Sequence, residues 1–391
     1  MEVFIGNIII NFRGSLGSLF LYLHKKLQPF TFMKYTKEQE TAIHTIKDNL
    51  QIIACAGAGK TQVISQRLVE ILKQEDVEPV NVIAFTYTEK AAAELKTRVL
   101  KLCREQLGDI KGLADMYIGT IHSWCLQAIQ DNVFKYQKYS ILDAIKQKLF
   151  IDKYYKFVGM ATAGMDRYKD TNRFISIMAL FREAELNEGV ELPEEWEEAV
   201  KSYEETLHNH SYFDFTMIMT EVIKNLKSNK DFQHNVLGNL KYLVVDEYQD
   251  VNPVQENLIE ELSKSNCNIC VVGDDDQTLY EWRLSDVKYI QQFKERYKDV
   301  SYIKLEDNFR SSKGIIDSAL KCITNNTKRL PKIMNAKGHQ RFRDGDIIYN
   351  QYEDVESENL FIAETIQKLR GKEFQDRNGG AKRGLDYSDC A

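Results

Sequence analysis

Residues 51–61 read QIIACAGAGKT, an apolar run that breaks into small residues and ends on a lysine and a threonine. A run of this kind followed by TQVISQRLVEILKQ, with Val63, Leu68, Ile71 and Leu72 at helical spacing, predicts a buried strand that turns into a helix. Ala54 to Thr61 fits the spacing of a P-loop, with alanine in place of its first glycine. Small residues at Ala56, Gly57, Ala58 and Gly59 let successive backbone N–H groups wrap a phosphate at a helix N-terminus. Lys60 would then meet the β- and γ-phosphates, Thr61 would ligate Mg²⁺, and Gln62 follows on the same turn. Such a cradle needs acidic partners, which the rest of the chain has to supply.

The surrounding elements indicate where those partners belong. VNVIAFT is a second apolar run of strand length, EKAAAELKTRVLKLCREQL a helix by propensity, and MYIGTIHSW a short third strand. From about 124 to 235 the chain is rich in Lys, Glu, Leu, Phe and Tyr at helical spacing. NLKYLVVDEYQD and NCNICVVGDDDQ then return as continuous apolar runs that end in acids. Near-continuous apolar strands alternating with helices predict an α/β fold, a parallel sheet covered on both faces, with the helical middle inserted between its halves. Beyond 340, DGDIIYNQYED reads as a strand and SENLFIAETIQKLRG as a helix. DYSDCA reads as the start of another strand, so that the ending looks like a truncation.

Bulk properties are compatible with several classes. The 391 residues suffice for two or three domains, and a net charge of −6 gives no bulk signal for nucleic acid. A binding groove needs only a local basic stripe. Seven scattered cysteines, with Cys267 and Cys270 as a CxxC without a second ligand pair, read as reduced, buried thiols of a cytoplasmic protein. The first 32 residues carry two apolar patches, both too short to span a membrane. Met33 precedes MKYTKEQETAI, where a domain naturally begins. Residues 1–32 therefore read as a mis-start or leader segment, a weak membrane-associating segment being the alternative.

The acidic strand ends are the partners sought. YLVVDEYQD puts Asp246 and Glu247 at a strand's carboxyl end, where open α/β sheets bind ligands. Asp246 would hold Mg²⁺, and Glu247 would orient and deprotonate an attacking water. In GDDDQTLYEWR, Gln277 is a neutral group able to hydrogen-bond a γ-phosphate. Trp282 beside Arg283 suits base stacking, though a lone tryptophan is as readily a core residue. Asp274, Asp275 and Asp276 carry no assigned role.

Together these stretches resemble superfamily 1 helicases of the UvrD/Rep type, from about Tyr35 to the C-terminus. YTKEQETAI is similar to the family's Q motif, which implies that Gln39 reads the adenine edge. ACAGAGKT is similar to motif I, VIAFTYTEKAAAEL to motif Ia and YIGTIHSWC to the GTFH motif. The last two imply single-stranded DNA contacts at Thr86, Thr120 and His122. VVDEYQDVNPVQ resembles motif II, GDDDQTLYEWR motif III, and LEDNFRSS motif IV, which implies Arg310 as an arginine finger and Phe309 as an adenine platform. SYFDFTMIM matches an Asp-Phe element that the family carries shortly before motif II.

The resemblance implies a RecA-like P-loop NTPase with ATP and Mg²⁺ as cofactors, single-stranded DNA as partner and no membrane. It implies a first RecA-like domain, 1A, at 33–119 and 240–300, a helical insertion, 1B, at 120–239, and the incomplete start of a second RecA-like domain, 2A, at 301–391. No TxHxxKGLE-like motif V or VAxTRA-like motif VI follows, and Leu284-Ser285 stands where the family has Gly-Ala after the Trp-Arg pair. Two readings stay open: the N-terminal part of an ATP-dependent 3′–5′ DNA helicase or translocase that is truncated, interrupted or completed by a separate chain, and a nucleotide-dependent module that binds DNA or a partner and does not unwind.

Overall fold

The computed structural model describes residues 2–5, 8–11, 34–185, 194–278, 286–338, 342, 347–375 and 381–390. Six parallel strands form the central sheet: β1 (Asn49–Ala54), β2 (Val82–Thr86), β3 (Tyr117–Thr120), β4 (Tyr242–Val245), β5 (Asn268–Gly273) and β6 (Val300–Leu305). Their spatial order is β6-β1-β5-β4-β2-β3. The register runs Leu50 opposite Cys270, Val82 opposite Tyr242 and Ile303 opposite Ile52.

Strand periodicity explains why both faces are apolar. Ile53, Ile83, Phe85, Leu243, Val245, Ile269 and Val271 enter one core, while Ile52, Ala54, Val82, Ala84, Val244, Cys270 and Val272 enter the other. Successive side chains of each strand thus serve opposite layers, the demand that a parallel sheet makes of its sequence. On the second face pack α1 (Lys37–His44), α2 (Lys60–Leu72) and α3 (Glu89–Gln106). The first face is continuous with the helical insertion: α4 (Ile121–Asn132), α5 (Ala144–Lys153), α6 (Thr171–Glu185), α7 (Glu194–Asn209), α8 (Phe215–Ser228) and α9 (Lys230–Leu237), then α10 (Pro253–Ser263). Leu207, Phe213, Ile218 and Leu258 share that core with the sheet residues.

Most of these helices begin on a side-chain cap. Thr36 and Gln39 form a reciprocal capping box, as do Asn252 and Gln255, and Thr88, Thr120 and Asp214 accept from the N–H groups of Ala91, Ser123 and Met217. α2 differs from these, since its N-cap Gly59 offers no side chain.

Three expectations change. The boundary expected between 300 and 301 falls at the start of β6, which pairs with β1 over six positions and so belongs to the first sheet. DGDIIYNQYED does not form a strand over 347–352: Ile348 and Tyr349 lie exposed, with no strand beside them among the described residues. DYSDCA forms a single helical turn, Tyr387–Asp389, because Asp386 caps it and Arg383 pairs with Asp389 at 2.6 Å. The rest of 307–390 contains α11 (Lys313–Ile323), α12 (Val355–Leu369) and two-residue strand pairs. Near the N-terminus, Glu2–Ile5 pairs antiparallel with Ile8–Asn11.

Candidate nucleotide site and the adjoining cleft

The turn from β1 into α2 takes its shape from two glycines. Gly57 and Gly59 have φ of 70° and 80°, the left-handed region that favours glycine. At Gly57 a Cβ would also meet Arg310 Cβ at 2.7 Å and Asn308 Oδ1 at 2.8 Å. Ala54 has no such φ and is fully buried in the second core, so a methyl group fits where the pattern calls for glycine. Because α2 lacks a side-chain cap, its first N–H groups are left for a ligand with negative charge. That opening, with Lys60 and Thr61 on the first turn, fits a triphosphate.

Lys60 donates to Glu247 Oε2 at 2.8 Å, bringing together two of the sequence-predicted catalytic residues across strands β1 and β4. Glu247 sits at φ 51°, a left-handed conformation that is uncommon for a side-chain-bearing residue and recurs at functional sites. Gln249 was not singled out in the sequence, yet it joins the parts. Its Nε2 donates to Glu247 Oε2 at 2.9 Å and to Asp250 Oδ2 at 3.2 Å, and its Oε1 accepts from Asp274 N at 3.0 Å. Gly273 makes room for this amide: a Cβ there would stand 2.5 Å from Gln249 Oε1.

Burial and the neighbouring Glu247 carboxylate push Asp246 up to about 7, against the pull of Lys60. The same two causes raise Asp250 to about 6. A carboxylate whose charge is disfavoured by desolvation gains most from a hard cation, and the oxygens of Asp246 and Thr61 are donors that suit Mg²⁺.

Opposite the P-loop, the segment after β6 closes over it. Phe309 N donates to Gly57 O at 3.0 Å and Asn308 Nδ2 to Ala56 O at 2.7 Å, while Asn308 Oδ1 accepts from Arg310 N and Ser311 N. Asn308 is a second positional residue missed in the sequence; an asparagine just before an aromatic-arginine pair is the only signal there. The Arg310 side chain is exposed beside Gly57. A cavity of about 170 Å³ lies between Gln39, Ala58 and Phe309. Gln39 Nε2 donates to Ala58 O at 3.0 Å, fixing the amide at this cavity's edge.

Two expected site residues lie differently. Gln62 points away from the turn, donating to Tyr35 Oη at 2.9 Å and accepting from Arg98 at 3.2 Å. The Gln277 amide is turned onto Asp274 at 2.6 Å.

Three of the four residues expected to meet DNA, Thr86, Thr120 and His122, line one open cleft of about 840 Å³, which they share with Asp246 and Glu247. Thr86 and Thr120 are buried, and their hydroxyls serve the protein: Thr86 donates to Thr88 O, and Thr120 caps α4 and donates to Glu89 at 2.7 Å. His122 packs edge-on against the half-exposed ring of Phe215, at 4.9 Å between centroids. Burial lowers His122 to about 4, so its ring is neutral at physiological pH. Asp214, which caps α8, accepts from the buried Arg182 and thereby fixes the helix that carries Phe215. Trp282 lies outside the described residues.

Comparison with known proteins accords with this arrangement. Residues 35–298 match the UvrD/REP helicase N-terminal domain, and residues 303–380 match the UvrD-like helicase C-terminal domain. The chain is 30% identical over 359 residues to the ATP-dependent DNA helicase PcrA of Staphylococcus aureus, covering 87% of this chain and 46% of that protein. It is 32% identical over 310 residues to PcrA of Staphylococcus epidermidis, covering 75% of this chain and 40% of the relative. The chain thus spans less than half the length of these curated relatives. It belongs to the UvrD/Rep helicase family.

Proposed function

We propose that the chain is the nucleotide-binding part of an ATP-dependent 3′–5′ DNA helicase or translocase, in which ATP hydrolysis moves single-stranded DNA. The observation that carries this reading is the shared cleft: Asp246 and Glu247 line the same space as Thr86, Thr120 and His122. A ligand lying in that space would touch the groups that act on a nucleotide, which is the physical basis for coupling the two.

The N–H groups at the start of α2 and Lys60 would hold the phosphates, with the base between Gln39 and Phe309. Thr61 and Asp246 would hold Mg²⁺, which when bound neutralises phosphate charge. For Lys60 to reach a phosphate it must leave Glu247, which frees that carboxylate to take a proton from water. Arg310 and Gln277 would meet the γ-phosphate, the latter after turning from Asp274. The same reading assigns 33–119 with 240–305 to a first RecA-like domain, 120–239 to its helical insertion and the following residues to a second.

The test is ATP hydrolysis by the full chain, with and without a single-stranded oligonucleotide, beside Lys60→Ala. DNA-stimulated turnover that falls by about 10³ or more in the variant is the expected result, since the cradle loses its cation. Hydrolysis unchanged in Lys60→Ala would overturn the site, and hydrolysis indifferent to DNA would overturn the coupling.

A further inference from the structure

The acidic turn after β5 has the look of a cation site, since ligand oxygens of Asp274, Asp275 and Asp276 lie within 4.8 Å of one another. The space between them is filled by the protein itself. Lys332 Nζ is 2.5 Å from Asp274 and 3.0 Å from Asp276 and also pairs with Asp275, with its side chain 1% exposed. Arg329 pairs with Asp276, and Leu330 N donates to Asp275 at 2.6 Å. The segment 329–333 touches the phosphate loop as well: Cys55 Sγ donates to Ile333 O at 3.4 Å.

We infer that Lys332 is a positioning residue for hydrolysis, holding the Asp274–Gln277 turn in the shape that sets both Gln277 and Glu247. This rests on the nucleotide site proposed above. Two connections run through Asp274. Its Oδ2 accepts from Gln277 Nε2 at 2.6 Å, and its N–H donates to Gln249, which in turn donates to Glu247 at 2.9 Å. Without the ammonium, adjoining buried carboxylates repel one another and the turn has to open toward water. Burial works against the charge on Lys332, and the surrounding aspartates outweigh it, so the ammonium stays protonated across the physiological range. The device is therefore a fixed pin, and its position beyond β6 ties the chain after the first sheet to the residues that face the nucleotide.

The experiment compares the original chain with Lys332→Gln and Lys332→Arg, measuring ATP turnover, KM for ATP and amide hydrogen exchange over 273–278. The expected result for Lys332→Gln is turnover lower by at least about tenfold, KM within about threefold, and exchange faster by at least about tenfold, with partial recovery in Lys332→Arg. A merely structural lysine would change thermal stability and leave KM, turnover and the exchange of this one turn in step with the rest of the molecule. Turnover and local exchange both within about twofold of the original chain would overturn the inference. If the original chain does not hydrolyse ATP, the proposed function fails on its own account, and the exchange measurement still decides whether Lys332 holds the turn. Should Lys332→Gln not fold, Asp274→Asn takes its place: it keeps the N–H to Gln249 and weakens the ties to Lys332 and Gln277. It should show the same loss of turnover and faster exchange, and unchanged values for both would count against the pin.

Discussion

The sheet domain and α12 are both built from amphipathic elements, and they treat their apolar side chains in opposite ways. Leu258 of α10 is fully buried in a core that runs from the sheet into the insertion. On α12, Val355, Leu360, Phe361 and Ile362 are 43–69% exposed, and none of its residues is buried. The helix is held by local terms: Asp354 caps it, acids occupy its first turn, and Glu364 pairs with Lys368 four residues on at 3.0 Å. The contrast teaches that helical pattern and burial are separate properties of a sequence. Local chemistry fixes the first, while the second requires another surface.

The comparison can be sharpened from its catalytic side first. Glu247→Gln should lower ATP turnover by about 10²–10⁴, the usual worth of a general base, while fluorescent-nucleotide affinity holds or tightens because Lys60 is released. Loss of affinity instead would mean that the Lys60–Glu247 pair builds the cradle, and not only its chemistry.

A smaller effect is expected from paired truncations. Leu258→Ala should destabilise by about 2–5 kcal/mol in a urea titration. Leu360→Ala should stay within about 0.5 kcal/mol. Similar losses at both positions would break the contrast, because they would show α12 to be packed in solution.

The smallest effect is set by pH. His122 is depressed to about 4 from an ordinary 6.5, so the unfolded chain takes up this proton first as pH falls. Its contribution is complete above pH 6.5 and declines between 6.5 and 4, by about 1–3 kcal/mol for a partly buried ring. The stability difference between His122→Asn and the original chain, followed over that window, should shrink accordingly. A difference independent of pH would place His122 in water.

Much of this was legible in the sequence because parallel strands buried on both faces leave continuous apolar runs, and acids at their ends mark the ligand edge. The phosphate turn was legible too, including its alanine, which occupies an ordinary backbone position. Pairing was not. Nothing local in VSYIKL indicates that it lies beside β1, and DGDIIYNQYED has the same composition as a strand without a neighbour to pair with. Asp274–Asp276 carry no role legible from the sequence because their counter-ion, Lys332, lies far along the chain. The cleft is not legible from its threonines and histidine taken singly, because the ring of Phe215 that packs on His122 is delivered to the same space by a helix from the insertion.

The sheet order also governs the timing of assembly. β1 is the first of the six strands to be synthesised, yet both its neighbours, β5 and β6, are the last. On the order of 250 residues separate β1 from β6, so at about 5–20 residues per second a growing chain waits about 10–50 s for the second flank of its phosphate loop. Until then Ile52 and Ile53 have no complete sheet to enter, and closing so long a loop is a slow, entropically opposed step. The contact between Asn308 and Ala56 can form only once synthesis has passed Asn308 and the first and last strands have met.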